Sequence, residues 1–227
     1  MTYRPKILAF AGSLRKHSFN KRVLNVAIEG AEKAGADVTC IDLKDFPMPI
    51  YNADDHAMNG FDDHAFKLQS LLTRQDGLLI ATPSYNGSLS AALKNAIDWT
   101  SRPNDTYQKA DIYPGKMAAI ISASPGSLGG IRALAHLRGV LSSVNVHVLP
   151  SEVAVPFVGD RFDGEGLEMV DEQMKKSLEN LGAALVDMLR KVHSRPDNGK
   201  MEMMMNNQCH YHIEKIRGQS DIVPDAH

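Results

Sequence analysis

The chain predicts an α/β fold in which a five-stranded parallel sheet lies between two layers of helices. Three observations point to it. Short, unbroken apolar runs read as strands buried on both faces, the stretches between them repeat apolar residues at helical spacing, and the two kinds of segment alternate along the chain.

The first run, Ile7, Leu8, Ala9, Phe10 and Ala11, stops at Gly12. From Phe19 the apolar positions Val23, Val26, Ala27, Ala31 and Ala34 recur at steps of three and four, and Gly35 stands where a helix C-cap glycine belongs. The same reading continues with a strand over 38–43, a helix over 61–73, a fully apolar strand over 77–82 and a helix over 89–99. A strand over 117–123, a helix over 131–141 and a last strand over 144–149 follow. Leu167, Val170, Met174, Leu178, Leu181, Leu185, Met188 and Val192 mark one face of a long closing helix. Strands alternating with helices imply a parallel sheet covered on both faces, and in a doubly wound sheet of order 2-1-3-4-5 the first and third strands are neighbours whose C-terminal loops face one crevice.

A length of 227 residues fits one domain with a tail. The domain is expected over residues 1–196. The periodicity stops after Pro196, and residues 197–227 are expected to be disordered or to pack on a partner subunit. The composition, 43% hydrophobic and 23% charged, is that of a soluble globular protein. A net charge of −2 with scattered basic residues offers no field for nucleic acid or anionic lipid. Cys40 and Cys209 form no CxxC pair and read as free thiols of a reducing compartment. The run at 7–11 is too short for a signal peptide or a membrane span, so no membrane insertion and a cytoplasmic location are expected.

Three loops carry chemistry. The first, between the first strand and first helix, reads Gly12-Ser13-Leu14-Arg15-Lys16-His17-Ser18-Phe19-Asn20. Amides at a helix start are unpaired and carry partial positive charge, so a dianion fits there, with Ser13, Ser18 and Asn20 as further donors and Arg15 as a charge. The alternative is an ordinary Ser18 cap with Arg15 and Lys16 solvated. Neither GxGxxG nor GxxxxGK[ST] is present, which disfavours a dinucleotide site and a P-loop. The second loop, Thr82-Pro83-Ser84-Tyr85-Asn86-Gly87-Ser88, leaves the third strand with a stiff turn, an aromatic wall and an amide for the edge of a heterocycle; a turn followed by a Ser88 cap is its alternative. The third, residues 122–130, offers Ser124 and Gly126, and its glycines let backbone approach a flat ligand. All three are expected at adjacent strand ends.

These residues resemble the NADPH-dependent FMN reductase family, which includes chromate and quinone reductases and some azoreductases. Its phosphate loop GSxRxxSxN is matched by Gly12, Ser13, Arg15, Ser18 and Asn20, and its flavin segment by Pro83, Tyr85, Asn86, Ser88 and the LKNAIDW run from Leu93 to Trp99. Ser84, where many relatives have Glu, and Ser90-Ala91, in place of Pro-Gly, depart from the pattern. The resemblance runs from about Lys6 to Val192. It implies a flavodoxin-like three-layer sandwich with FMN as cofactor and NADPH or NADH as co-substrate. It also implies a homodimer or homotetramer with a small-molecule electron acceptor.

On that reading Ser13, Leu14, Arg15, Ser18, Phe19 and Asn20 hold the phosphate end, while Pro83, Ser84, Tyr85, Asn86, Gly87, Ser124 and Gly126 border the ring. Hydride passes from NAD(P)H to the flavin and on to a quinone, azo, metal-oxyanion or free-flavin acceptor. No acid or base is named as catalytic, because the cofactor carries the bond changes. Amides from Tyr85 to Gly87 would stabilise charge on the reduced ring. A flavodoxin-like FMN electron carrier without NAD(P)H activity is the alternative, disfavoured by the weak net charge. Lys94 and Asp98 read as a helix-surface pair and Trp99 as packed. Cys209, His210 and His212 supply too few ligands for a metal site.

Overall fold

The computed structural model describes residues 3–163 and 168–194. Chain contacts divide at Arg190, and the architecture below is that of the unit ending there. Leu167, the tail at 197–227 with Cys209, His210 and His212, and the domain end at 196 lie outside the described residues.

Strands β1 (Lys6–Ala11), β2 (Asp37–Asp42), β3 (Gly77–Thr82), β4 (Met117–Ala123) and β5 (His147–Val148) pair in parallel in the order β2-β1-β3-β4-β5. The sheet is therefore the doubly wound, flavodoxin-like arrangement. Each central strand serves two cores by alternation, since successive side chains leave opposite faces. Ile7, Ala9, Leu79, Ala81, Ala119 and Ile121 pack with α1 (Phe19–Lys33) and α7 (Glu172–His193). Leu8, Phe10, Leu78, Ile80, Ala118 and Ile120 pack with α3 (Asp63–Leu72), α4 (Ala91–Thr100) and α6 (Ile131–Ser143). Burial on both sides removes the polar alternation of a half-exposed strand, and so these runs are legible as strands. Where α1 crosses α7 the backbones nearly touch: a Cβ on Gly182 would stand 2.0 Å from the Ala27 carbonyl oxygen.

Several boundaries differ from expectation. The last strand is not 144–149. Helix α6 runs on to Ser143, Asn145 turns through a positive φ of 62°, and the Val146 amide bonds back to the Leu141 carbonyl. The strand position is then split. His147 and Val148 pair with Met117 and Ala118, and a sixth strand, β6 (Val153–Val155), pairs with Ile121 to Ala123. Pro150 stands in the gap, where a residue without an amide hydrogen cannot continue a ladder. The break is pinned to α6 by Arg138, whose guanidinium meets Glu152 at 2.5 Å and also reaches the Val148 carbonyl.

Residues 45–60 and 102–114, which fall between the expected elements, contain the short helices α2 (Ala53–Asn59) and α5 (Lys109–Ile112). Helix α7 begins only at Glu172, so Val170 precedes it and is exposed, and its buried stripe turns to Val186 and Leu189 rather than Met188.

Candidate functional site

The carboxyl ends of β1, β3 and β4 lie side by side because the register places Ala11 against Ala81 and Thr82 against Ser122. The loops leaving them therefore open onto one crevice. One pocket is lined by Ser13, Arg15, Ser18, Phe19, Asn20, Pro83, Ser84, Tyr85, Ala123, Ser124 and Pro125. An adjoining pocket shares Ser84 and Ser124 and adds Gly87, Gly126, Ser127, Leu128, Gly130 and Arg132. Eleven of the thirteen residues expected at the site thus line one pocket or the other, and Leu14 and Asn86 line neither. Ala123, Pro125, Ser127, Leu128, Gly130 and Arg132 are outside the expected set. The first five lie within a loop already marked by its glycines, while Arg132 stands in the first turn of α6, where sequence gives no sign that it faces the crevice.

The first loop is built to receive an anion. Ser18 caps α1, its hydroxyl oxygen accepting from the Asn20 amide at 3.2 Å, and it is 3% exposed. Capping uses the oxygen and leaves the hydroxyl hydrogen to donate, so capping and ligand binding do not compete. Ser13 is likewise buried, and its hydroxyl accepts from the Arg15 amide at 3.4 Å. The first turn of α1 holds no acidic residue, so nothing neutralises the positive end of the helix dipole. Arg15 is exposed and extends the cation set to the mouth. Two buried hydroxyls, a bare helix start and one guanidinium make a donor set that suits a phosphate ester.

The loop has little freedom. The Gly12 carbonyl accepts from the Ser90 hydroxyl at 2.5 Å and its amide bonds to the Ala81 carbonyl at 2.8 Å. A Cβ at Gly12 would stand 2.9 Å from Leu93 Cβ. Ser90 also accepts from the Leu93 amide and is the cap of α4, the role the sequence suggested for Ser88.

Residues 85–88 form a tight turn. Tyr85 and Ser88 exchange two backbone hydrogen bonds, at 2.9 and 3.1 Å, around Asn86 (φ 52°) and Gly87 (φ 83°). Two successive positive φ values are what an Asn-Gly pair supplies in a turn of the mirror-image type. Of the three amides expected to face a ring, that of Tyr85 is spent inside this turn, which leaves those of Asn86 and Gly87. His136 on α6 supports the turn, its Nδ1 standing 3.0 Å from the Ser88 hydroxyl.

The third loop is held by the segment after β6. Ser124 bonds through its amide to Val155 and through its carbonyl to Val158, and the Gly126 carbonyl accepts from Phe157, which adopts a positive φ of 47°. Gly130, at φ 87°, lies so close to β4 that a Cβ would overlap the Ser122 hydroxyl at 2.0 Å.

Lys94 and Asp98 form an exposed pair on α4 at 2.7 Å. Trp99 is buried within the chain and donates to the Pro49 carbonyl at 2.7 Å. Among the described residues no group of three His, Cys, Asp or Glu is placed to hold a metal ion, and no helix is long and apolar enough to cross a membrane.

Comparison with known proteins agrees with this geometry. An NAD(P)H-dependent FMN reductase from Pseudomonas aeruginosa is 36% identical over 188 residues, covering 82% of this chain and 96% of its own. A 2-hydroxy-1,4-benzoquinone reductase from a Burkholderia species is 36% identical over 176 residues, covering 77% of this chain and 90% of its own. The solved structure of FerB, an NAD(P)H:acceptor oxidoreductase from Paracoccus denitrificans, superposes with a TM-score of 0.69 at 30% identity, over 82% of this chain and 98% of its own. The sequence pattern of the NADPH-dependent FMN reductases matches residues 5–160, and the chain belongs to that family, an oxidoreductase family with FMN as cofactor and NAD(P)H as reductant.

Proposed function

We propose that this protein is an NAD(P)H-dependent flavin reductase that passes electrons to a small quinone-like acceptor, with FMN held by the three loops described above. The observation that carries the reading is the convergence of Ser13, Arg15 and residues 18–20, 83–85 and 123–125 on one pocket. When bound, FMN supplies the redox chemistry, taking reducing equivalents from NAD(P)H and releasing them to the acceptor.

The chain's own contribution is binding and orientation. Ser13, Ser18, Arg15 and the start of α1 take the phosphate. Pro83, Ser84, Tyr85 and Gly87, with Ser124 and Gly126, would border the ring. The Gly87 amide would supply a fixed dipole toward negative charge. The adjoining pocket gives the acceptor and the nicotinamide a place beside the ring, rimmed by the exposed Leu128 and by Arg132. Two relatives named for quinone reduction support the choice of acceptor class.

Ile50 and Met58 are 87% and 74% exposed, apolar surface that assembly into a homodimer or homotetramer would cover. We place the working enzyme in the cytoplasm, with residues 1–196 as its reductase domain.

The visible spectrum of the purified protein, followed by oxidation of NADPH and of NADH with a benzoquinone, tests the proposal. Flavin bands with acceptor-dependent turnover are expected. Bound flavin with no turnover above that of free FMN would instead identify an electron carrier.

A further inference from the structure

We propose that Asn20 is a positioning residue, which locks the phosphate loop to the wall of the ring pocket rather than binding phosphate itself. The proposal rests on the FMN reading above. Asn20 is 4% exposed in the first turn of α1. Its side chain is engaged twice by one residue 103 positions away: Oδ1 accepts from the Ala123 amide at 2.9 Å, and Nδ2 donates to the Ala123 carbonyl at 3.0 Å.

The need for this clamp is written in the sheet. The Met117 amide bonds to the Asp76 carbonyl, which turns the backbone groups of alternate β4 residues, Ala123 among them, toward β3. Beyond Ala123 that neighbour ends. The β3–β4 ladder stops at the pair Thr82 and Ser122, and the Thr82 carbonyl also accepts from the Ser122 hydroxyl at 2.7 Å. β3 therefore supplies no further ladder donor to the Ala123 carbonyl. A primary amide presents one acceptor and one donor side by side, as a strand residue does, so Asn20 meets that carbonyl and engages the Ala123 amide as well. Ser124, the next residue, is tied to Val155 and Val158 on the opposite side. The loop carrying Ser124 and Gly126 is thereby held from both flanks, and the clamp fixes its separation from Ser13 and Ser18.

The two roles for Asn20 separate when the phosphate is removed from the ligand. FMN and riboflavin, which lacks the phosphate, are titrated into flavin-free protein by fluorescence quenching, for wild type, Ser18→Ala, Asn20→Ser and Asn20→Asp. Ser18→Ala is expected to weaken FMN alone. Asn20→Ser is expected to weaken both flavins by a similar factor, on the order of tenfold, the scale of one lost hydrogen-bond pair. In Asn20→Asp the carboxylate opposes the Ala123 carbonyl at neutral pH, and its protonated form restores a donor. Riboflavin affinity of that variant is therefore expected to recover as the pH falls toward 5, while Asn20→Ser shows no recovery. Thermal unfolding of each flavin-free variant identifies any that has lost its fold. Weakened FMN with unchanged riboflavin in Asn20→Ser would make Asn20 a phosphate ligand and overturn the proposal, as would unchanged binding of both. Wild-type protein that binds neither flavin would remove the FMN reading, and the proposal with it.

Discussion

Replacing Ser18 and Arg15 together by Ala measures how much of the cofactor's hold is phosphate recognition. The Ser18 hydroxyl has two separable functions. Its oxygen caps α1 through the Asn20 amide, and loss of such a cap costs the fold about 1 kcal/mol. Its hydrogen is available to a phosphate oxygen, and a hydrogen bond to a charged group contributes about 1.5–3 kcal/mol. Arg15 is exposed, so its attraction to a dianion is screened and adds about 1 kcal/mol. The binding contributions sum to about 2.5–4 kcal/mol, which raises the dissociation constant of FMN roughly 70- to 900-fold. The cap contribution alone lowers the melting temperature of the flavin-free protein by about 2–4 °C, so the double variant stays folded. Calorimetric titration with FMN and the flavin content after purification are the assays. Undiminished flavin content, or a Kd raised less than tenfold, would refute the assignment of this loop to the phosphate.

Gly130→Ala combines a left-handed backbone with a Cβ set 2.0 Å from the Ser122 hydroxyl, and is expected to lower stability to urea by about 2–4 kcal/mol. Made in a Ser122→Ala background it should cost less, and an equal cost in both backgrounds would deny that the hydroxyl is the obstacle. For Asp42, partial burial opposes ionisation, but the Lys21 ammonium at 2.5 Å and the Lys44 amide outweigh it and hold the carboxyl below its ordinary value. Its stabilisation is therefore present above the ordinary carboxylate pKa near 4 and lost as pH falls through the lower folded value. Asp42→Asn should cost up to about 1 kcal/mol at pH 7 and less at each step below pH 4; a difference independent of pH would exclude the ion pair as its source. A chain ending at Pro196 is expected to retain FMN, and flavin lost on truncation would show that the following residues complete the site.

The expected site divides according to the range of the interactions involved. The Asn86-Gly87 turn and the Ser18 cap depend on residues within three positions of one another, so local sequence specifies them. The cap of α4 shows the limit of this reading. Ser88 and Ser90 are equivalent as sequence, and the choice falls to Ser90 because its hydroxyl must also meet the Gly12 carbonyl, a partner 78 residues away. Sequence leaves the Tyr85 amide free to face the ring, because a string of residues does not reveal that the Ser88 carbonyl folds back to accept it.

The sequence by itself determined the layered α/β sheet and the crevice edge. A strand buried on both faces must be apolar throughout, a helix packed on one side must repeat its apolar residues near every third or fourth position, and the alternation of the two pairs the strands in parallel. Tertiary structure alone decided the split of the last strand and the work of Asn20. The Val144 to Leu149 stretch is as apolar as a strand, but the winding of α6 consumes its first residues and Pro150 cannot continue the ladder. Asn20 carries the same amide whether it faces a phosphate or a backbone. Which of these it meets depends on where β3 ends beside Ala123, a relation between distant residues that exists only once the sheet has formed.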